Sequence, residues 1–155
     1  MIISITGHRP ADLGGYEIPN PVYDNVRKLL TQKFKELNPQ MVISGMALGV
    51  DQWAAYVAIE LCIPFTAAVP CDNQDSRWPA DSRKQYQELL GLAAKVVVVS
   101  PGPYAVYKMH KRNQWMVDNS DVLVAIWTGK QHGGTFSCVQ YAKSQNKDIH
   151  IINPI

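Results

Sequence analysis

The sequence predicts an α/β protein: a single open, mostly parallel sheet with helices on both faces, formed by residues 1–155 as one domain. Three observations point there. Short apolar runs alternate with longer amphipathic stretches in the order βαβαβαβαβαβ. The short runs are continuously apolar rather than alternating, as strands covered on both faces are; VVVV at 96–99 is the extreme case. Finally, 155 residues suffice for one core, whereas a closed eight-unit barrel needs about 250.

Each element has a local cause. Ile2 to Thr6 is an apolar strand broken by Gly7 and closed by Pro10. Asn20 followed by Pro21 suits a capped helix start, and Val22, Val26, Leu29, Leu30, Phe34 and Leu37 recur at helical spacing until Pro39. Met41 to Ser44 is the second strand. Gly45 and Gly49 frame a turn into a helix through Trp53, Ala54, Val57, Ala58 and Leu61, which Pro64 stops. Phe65 to Val69 is the third strand, followed by the irregular loop PCDNQDSRWP. Asp81 to Ala93 reads as a helix with Tyr86, Leu89, Leu90 and Ala93 on one face. Lys95 to Ser100 is the fourth strand, expected to be buried on both sides. Pro101-Gly102-Pro103 interrupts, and a polar helix from about Tyr107 carries Met109, Arg112, Asn113, Met116 and Val117. Val122 to Trp127 is the fifth strand, TGKQHGGT the loop after it, Thr135 to about Gln145 the last helix, and Ile149 to Ile152 the last strand.

Composition narrows the function classes. Charged residues are 18% and hydrophobic residues 46%, a globular balance that excludes a disordered chain. A net charge of +2 without a basic run is no footprint for DNA or RNA, so a nucleic-acid partner is not expected. No apolar stretch is long enough to span a membrane, and no signal peptide precedes the first strand. Three scattered cysteines, Cys62, Cys71 and Cys138, fit free thiols in a reducing compartment, hence a cytoplasmic protein.

In an open parallel sheet, ligands sit beyond the carboxyl ends of the strands. Four segments land there: Gly7-His8-Arg9, Ser44-Gly45-Met46-Ala47, Ser100-Pro101-Gly102 and the loop ending Gly133-Gly134-Thr135. Two of these, SGMALGVD and GKQHGGTF, are glycine-rich turns feeding a helix, where exposed N–H groups and the helix dipole favour an anion. Neither has the GxGxxG spacing of a dinucleotide fingerprint nor the GK[ST] ending of a P-loop. A phosphorylated ligand is the expectation, with Mg²⁺ only as its counterion. The four histidines and three cysteines lack zinc spacing, so no resident metal is expected.

Single residues carry two readings each. Asp51 is either a carboxylate stabilising a helix N-terminus or an acceptor for a ribose hydroxyl or for Arg9. Arg9 follows Gly7 and His8 at a strand end, where phosphate or carboxylate recognition outweighs a surface ion pair. His8 is a turn residue or a ligand contact. Arg112, one helical turn from Met109 and Met116, lies near the buried stripe and either reaches into the site or snorkels outward. Lys108, His110 and Lys111 read as a solvated basic face. Asn119 is a helix stop or a site residue. Trp78, Tyr104 and Trp127 are candidate stacking surfaces set against core roles. Cys138, in the first turn of the last helix, is read as a buried, inert thiol.

Taken together, TGHRP at 6–10, SGMALGVDQWAA at 44–55, RNQWMVDNSDVLVAIWTG at 112–129 and GGT at 133–135 resemble the YpsA-like (DUF1273) group of the SLOG superfamily. That superfamily is Rossmann-like and includes the DprA and LOG families. The resemblance covers nearly the whole chain. It implies a pocket for a nucleotide or nucleotide derivative made by Gly7, His8, Arg9, Ser44, Gly45, Gly133, Gly134 and Thr135, in proteins of bacterial or phage origin, with homodimers or higher homo-oligomers expected. The wider set of expected ligand contacts adds Met46, Gly49, Asp51, Pro101, Arg112, Asn113, Asn119 and Trp127. LOG enzymes cleave an N-glycosidic bond with an arginine and a glutamate just after their GGxGT turn. Arg112 matches the arginine, but Ser137 or Cys138 stands where the glutamate would fall. Without that carboxylate, the catalytic expectation passes to Arg112 with Asp51 or Asp118, and ligand binding by a sensor, sequestering or regulatory protein ranks ahead of turnover. The alternatives are an N-glycosidic hydrolase or nucleoside (deoxy)ribosyltransferase-like enzyme, and a protein-interaction module without a small ligand.

Overall fold

The computed structural model describes residues 1–10, 13 and 20–155. Strands and helices alternate through them: β1 (Ile2–Gly7), α1 (Pro21–Leu37), β2 (Met41–Ser44), α2 (Val50–Glu60), β3 (Phe65–Val69), α3 (Ala80–Leu92), β4 (Lys95–Val98), α4 (Val106–Asp118), β5 (Val122–Ile126), α5 (Gly134–Ser144) and β6 (Asp148–Ile152). The six strands form one sheet in the order β4-β3-β2-β1-β5-β6. Every neighbouring pair is parallel, with Ile3 opposite Val42 on one side and Val122 on the other. This is the open Rossmann-like α/β architecture, with the expected mostly parallel sheet parallel throughout its described strands.

Strand alternation divides the core between the two faces. Ile3, Ile5, Val42 and Val124 pack with Val26, Leu30 and Phe34 of α1 and Ala54, Val57 and Ala58 of α2. Leu123 and Ala125 point the other way, onto Val117 of α4 and Cys138, Val139 and Ala142 of α5. Burial of each of the larger side chains, Phe34 and Leu30 among them, contributes about 1.5–3 kcal/mol. The cap on α1 is the one the sequence predicts: the Asn20 side-chain oxygen accepts the N–H groups of Val22 and Tyr23 at 3.1 and 3.2 Å.

The fourth strand corrects an expectation. β4 lies at the edge of the sheet, and Val96 and Val98 are 46% and 37% exposed. A run of valines reports strand propensity as well as burial, and only the strand order decides which strand is outermost.

That order also sets where a site can form. The chain steps outward from β1 to β4, and α4 then carries it back across the sheet to β5 on the other side of β1. The reversal of direction leaves a crevice at the carboxyl ends of β1 and β5.

Candidate functional site

A cavity of about 520 Å³ fills this crevice. Its walls come from three places: Thr6 to Arg9 with Ala47 and Asp51, then Met109, His110, Arg112 and Asn113 of α4, and Lys130, His132 to Thr135 and Ser137 around the start of α5. A volume of that size is ordinary for a small-molecule site.

Arg112 forms the floor. It is 4% exposed, yet its guanidinium is paired: Nη1 donates to the Gly45 carbonyl at 2.7 Å and more weakly to that of Ala68 at 3.4 Å, and Nε donates to Asn113 Oδ1 at 3.0 Å. A Cβ on Gly45 would lie 2.7 Å from that Nη1, so the glycine makes room for the guanidinium. Burial lowers the arginine's proton affinity, and the nearby Asp51 charge pulls it back up. An arginine keeps its proton under such pressure. Asp51 is the matching acid. Burial raises its pKa from 3.8 to about 6, against the opposing pull of Arg112, of the Ala47 N–H it accepts at 3.3 Å, and of Arg9.

The turn between β2 and α2 is held by its own polar groups. Ser44 Oγ donates to the Asp51 carbonyl at 2.6 Å and accepts the Met46 N–H at 3.2 Å. Gln52 Nε2 donates to the Met46 carbonyl at 3.1 Å. These bonds hold Met46 at φ 63°, a left-handed conformation that costs a non-glycine residue about 1–2 kcal/mol. Gly49, at φ 98°, brings this turn against the β1 loop; a Cβ there would stand 2.7 Å from the His8 carbonyl. The Gly7 backbone is equally close to Val50, whose atoms would lie 2.5 Å from an added Cβ.

His8 ties a third segment to these two. Its Nε2 accepts the Thr128 N–H at 3.1 Å, with the Thr128 hydroxyl at 3.2 Å, so in the neutral ring the proton sits on Nδ1. This anchors the loop that leads to α5. The helix begins at Gly134 behind Gly133, and among the described residues no side chain caps its first turn. A Cβ on either glycine would meet no atom of the described residues within 4 Å. The uncapped N–H groups and the positive end of the helix dipole therefore open into the cavity, ringed by Arg9, Lys130, His110 and His132. Chemically, N–H groups and a dipole so arranged can hold an anion, with the Asp51 carboxyl as an adjacent acceptor or, protonated, donor.

Of the sequence-predicted residues, the cavity gathers Gly7, His8, Arg9, Asp51, Arg112, Asn113, Gly133, Gly134 and Thr135. Ser44, Gly45, Met46 and Gly49 shape the turn behind it without lining it. Asp118 and Asn119 are not brought in. They end α4 at the opposite, amino edge of the sheet, where Asp118 Oδ1 accepts the Tyr141 hydroxyl at 2.8 Å and Asn119 Nδ2 donates to Trp115 O at 2.8 Å. Pro101 stands outside the cavity, its carbonyl accepting from Lys108 Nζ at 2.9 Å. That bond corrects the reading of Lys108 as solvated: it is 6% exposed. Trp127 lies outside as well, its ring against Phe136 and its Nε1 donating to the Lys130 carbonyl at 2.9 Å. Cys138 is buried, and desolvation pushes its thiol up to about 12.

Sequence reasoning missed Thr6, Met109, His110, Lys130, His132 and Ser137 as cavity walls. Lys130 and His132 were readable, since they stand inside the glycine-rich loop itself. A second cavity, of about 800 Å³, adjoins the first and shares Arg9, Ala47 and Met109 with it. Among the described residues, no three His, Cys, Asp or Glu side chains cluster as a metal site, and no helix is long and apolar enough to cross a membrane.

Comparison with known proteins bears on this geometry. The sequence profile of the YspA SLOG family matches residues 3–155. The SPbeta prophage-derived protein YoqJ of Bacillus subtilis is 31% identical over 144 residues, covering 80% of this chain and 84% of its own length. Among solved structures, DNA processing protein A (DprA) from Streptococcus pneumoniae superposes with a TM-score of 0.69 at 15% identity, covering 97% of this chain and 50% of that one. This chain thus spans about half the length of that DprA. The molybdenum cofactor binding protein of Rippkaea orientalis superposes with a TM-score of 0.61 at 20% identity, covering 97% of this chain and 74% of that one. At these identities the two structures show a shared fold.

Proposed function

The chain belongs to the YspA SLOG family, and from that premise we propose that it binds a small phosphorylated, nucleotide-derived molecule in the crevice, as a sensor, sequestering or regulatory protein. One observation carries the reading: the uncapped N-terminus of α5 opens into the cavity beside Arg9 and over the buried Arg112. A phosphate there would accept the N–H groups of Gly134 and Thr135, with the helix dipole and the Arg9 guanidinium adding Coulomb attraction. Asp51 stands where a carboxylate would repel a phosphate, so its partner is a sugar hydroxyl rather than the anion. Cofactor binding by the R. orientalis neighbour supports a small-molecule role for this fold.

A second reading rests on Asp51 alone. A carboxyl with a pKa of about 6 can serve as acid or base near neutral pH, and N-glycosidic cleavage of a nucleotide needs such a group beside the sugar. The position that holds the carboxylate in LOG enzymes is filled here by Ser137 or Cys138, which ranks this reading second.

Incubating the protein with nucleoside monophosphates, nucleosides, cyclic nucleotides and sugar phosphates, followed by ultrafiltration and mass spectrometry, tests both. A phosphorylated compound retained by the protein and released intact on denaturation supports binding. Accumulation of free base over many equivalents supports cleavage. Retention of none of these compounds rejects the binding proposal.

A further inference from the structure

Resting on the anion-binding reading of the crevice, we propose that the site takes up its anion together with a proton, and that Asp51 is the group that receives it. Affinity for the anion is then set by pH through one buried carboxyl in the wall.

Asp51 stands in the first turn of α2 and lines the cavity while only 9% exposed. A carboxylate so placed is ordinarily held by several donors or by an ion pair. Here a single N–H serves it: Oδ2 accepts from Ala47 at 3.3 Å, and Oδ1 has no hydrogen-bond partner among the described residues. Among the same residues it forms no ion pair, although Arg112 and Arg9 are near enough for their charges to favour its ionised form. Arg112 does not close the gap, because its Nε and Nη1 are committed to Asn113 and to the carbonyls of Gly45 and Ala68.

An anion in the crevice draws on the same support. Arg9 lines the cavity with Gly133 and Gly134, and the Asp51 charge reaches α5, where it adds to the rise of the Cys138 thiol. An anion at the first turn of α5 engages the Arg9 charge that favours the Asp51 carboxylate, and sets a like charge facing it. Both changes favour the neutral carboxyl. Burial already holds the group at a pKa of about 6 in the free protein, so a small further rise carries it to neutral pH. The neutral carboxyl keeps both a donor and an acceptor for a sugar hydroxyl.

The sign follows from reciprocity. A bound anion raises the proton affinity of Asp51, so added protons raise the affinity for the anion by the same factor. Anion affinity is highest below the pKa of the free protein, about 6, and declines as pH rises through the higher pKa of the complex. Other groups stand around the same cavity: His8 and Arg9 after β1, His110 and Arg112 of α4, and Lys130 and His132 before α5, with Cys138 within reach of the Asp51 charge. Asp51→Asn separates the carboxyl from all of them, since it keeps an acceptor for the Ala47 N–H and removes only the charge.

The test is calorimetric titration of ribose 5-phosphate into wild type and Asp51→Asn at about pH 5.5 and about pH 7.5. Titration of the ligand and of the histidines is common to both proteins and cancels in the ratio of their affinities. Asp51→Asn should bind about fivefold or more tightly than wild type at the higher pH, and equally at the lower. In wild type carrying ¹³C-labelled aspartate, the Asp51 carboxyl should titrate about one pH unit or more higher at saturating ligand than without it, a readout that needs no variant to fold. Asp51→Asn binding no tighter than wild type at the higher pH, or a carboxyl midpoint that stays or falls on saturation, overturns the proton uptake and leaves the anion site standing. Absence of ribose 5-phosphate binding by both proteins at both pH values overturns the anion reading as well.

Discussion

Gly45 and Arg112 share one space: Arg112 Nη1 lies 2.7 Å from the Gly45 carbonyl and 2.7 Å from where a Cβ on Gly45 would stand. The absence of a side chain at residue 45 is thus what lets a guanidinium from α4 reach across β3 to the end of β2. Gly45→Ala forces the guanidinium off its carbonyls while leaving it buried. The expected cost is about 1–3 kcal/mol, read as a lower denaturant midpoint, with weakened binding of phosphorylated ligands. Arg112→Lys should lose much of the same binding, because an ammonium cannot span Gly45, Ala68 and Asn113 as a planar fork does.

The two glycines before α5 should behave oppositely to Gly45. Gly134 has no positive φ and open space around its Cβ position, so Gly134→Ala should leave Tm unchanged or slightly raised. It should nevertheless weaken ribose 5-phosphate binding at least severalfold, since the methyl would stand where the anion approaches. Gly133→Ala is different, because φ is 95° there; strain of about 1–2 kcal/mol should lower Tm as well as affinity.

Asp51 makes stability depend on pH. Its folded-state pKa of about 6 exceeds the ordinary 3.8, so the folded protein holds this proton more tightly than the unfolded chain. Stability is then highest on this account below pH 4, declines as pH rises from about 4 to 6, and stays reduced above that. Asp51→Asn should flatten this part of the curve. The gap between the two proteins, on the order of 1–3 kcal/mol at pH 7, should close as pH falls through that window. Urea midpoints at several pH values measure it.

Thiol chemistry should discriminate among the cysteines. Cys62 is exposed, whereas Cys71 and Cys138 are buried and their thiols are raised by desolvation. In native protein, a maleimide reagent should modify Cys62 within minutes and reach the other two only on unfolding. Rapid labelling of Cys138 in the folded state would contradict its burial between α5 and the sheet.

Much of this was readable in the sequence because proline and glycine punctuate it. Asn20-Pro21, Pro39, Pro64 and the two glycine-rich turns mark element ends that follow from backbone sterics alone. The order of elements implied the sheet, and the sheet implied that Gly7, Ser44 and Gly133 would sit at one edge. What failed depends on packing. VVVV at 96–99 cannot say whether its strand is central or outermost, since either position accepts valine. Lys108 looks solvated by composition, but its stem crosses buried space to reach the Pro101 carbonyl. Asp118 and Asn119 lie at the amino edge, away from the crevice, as residues between a helix and the next strand do in a parallel sheet.

The central claim is that the start of α5 receives a phosphate. Amide chemical shifts of ¹⁵N-labelled protein, followed by NMR as ribose 5-phosphate is added, test it most directly. The account predicts saturable shifts largest at Gly134, Thr135 and Phe136, with smaller ones at Gly7 and Arg9, and their loss in Gly134→Ala. Saturable shifts centred elsewhere, or none at millimolar ligand, would contradict it.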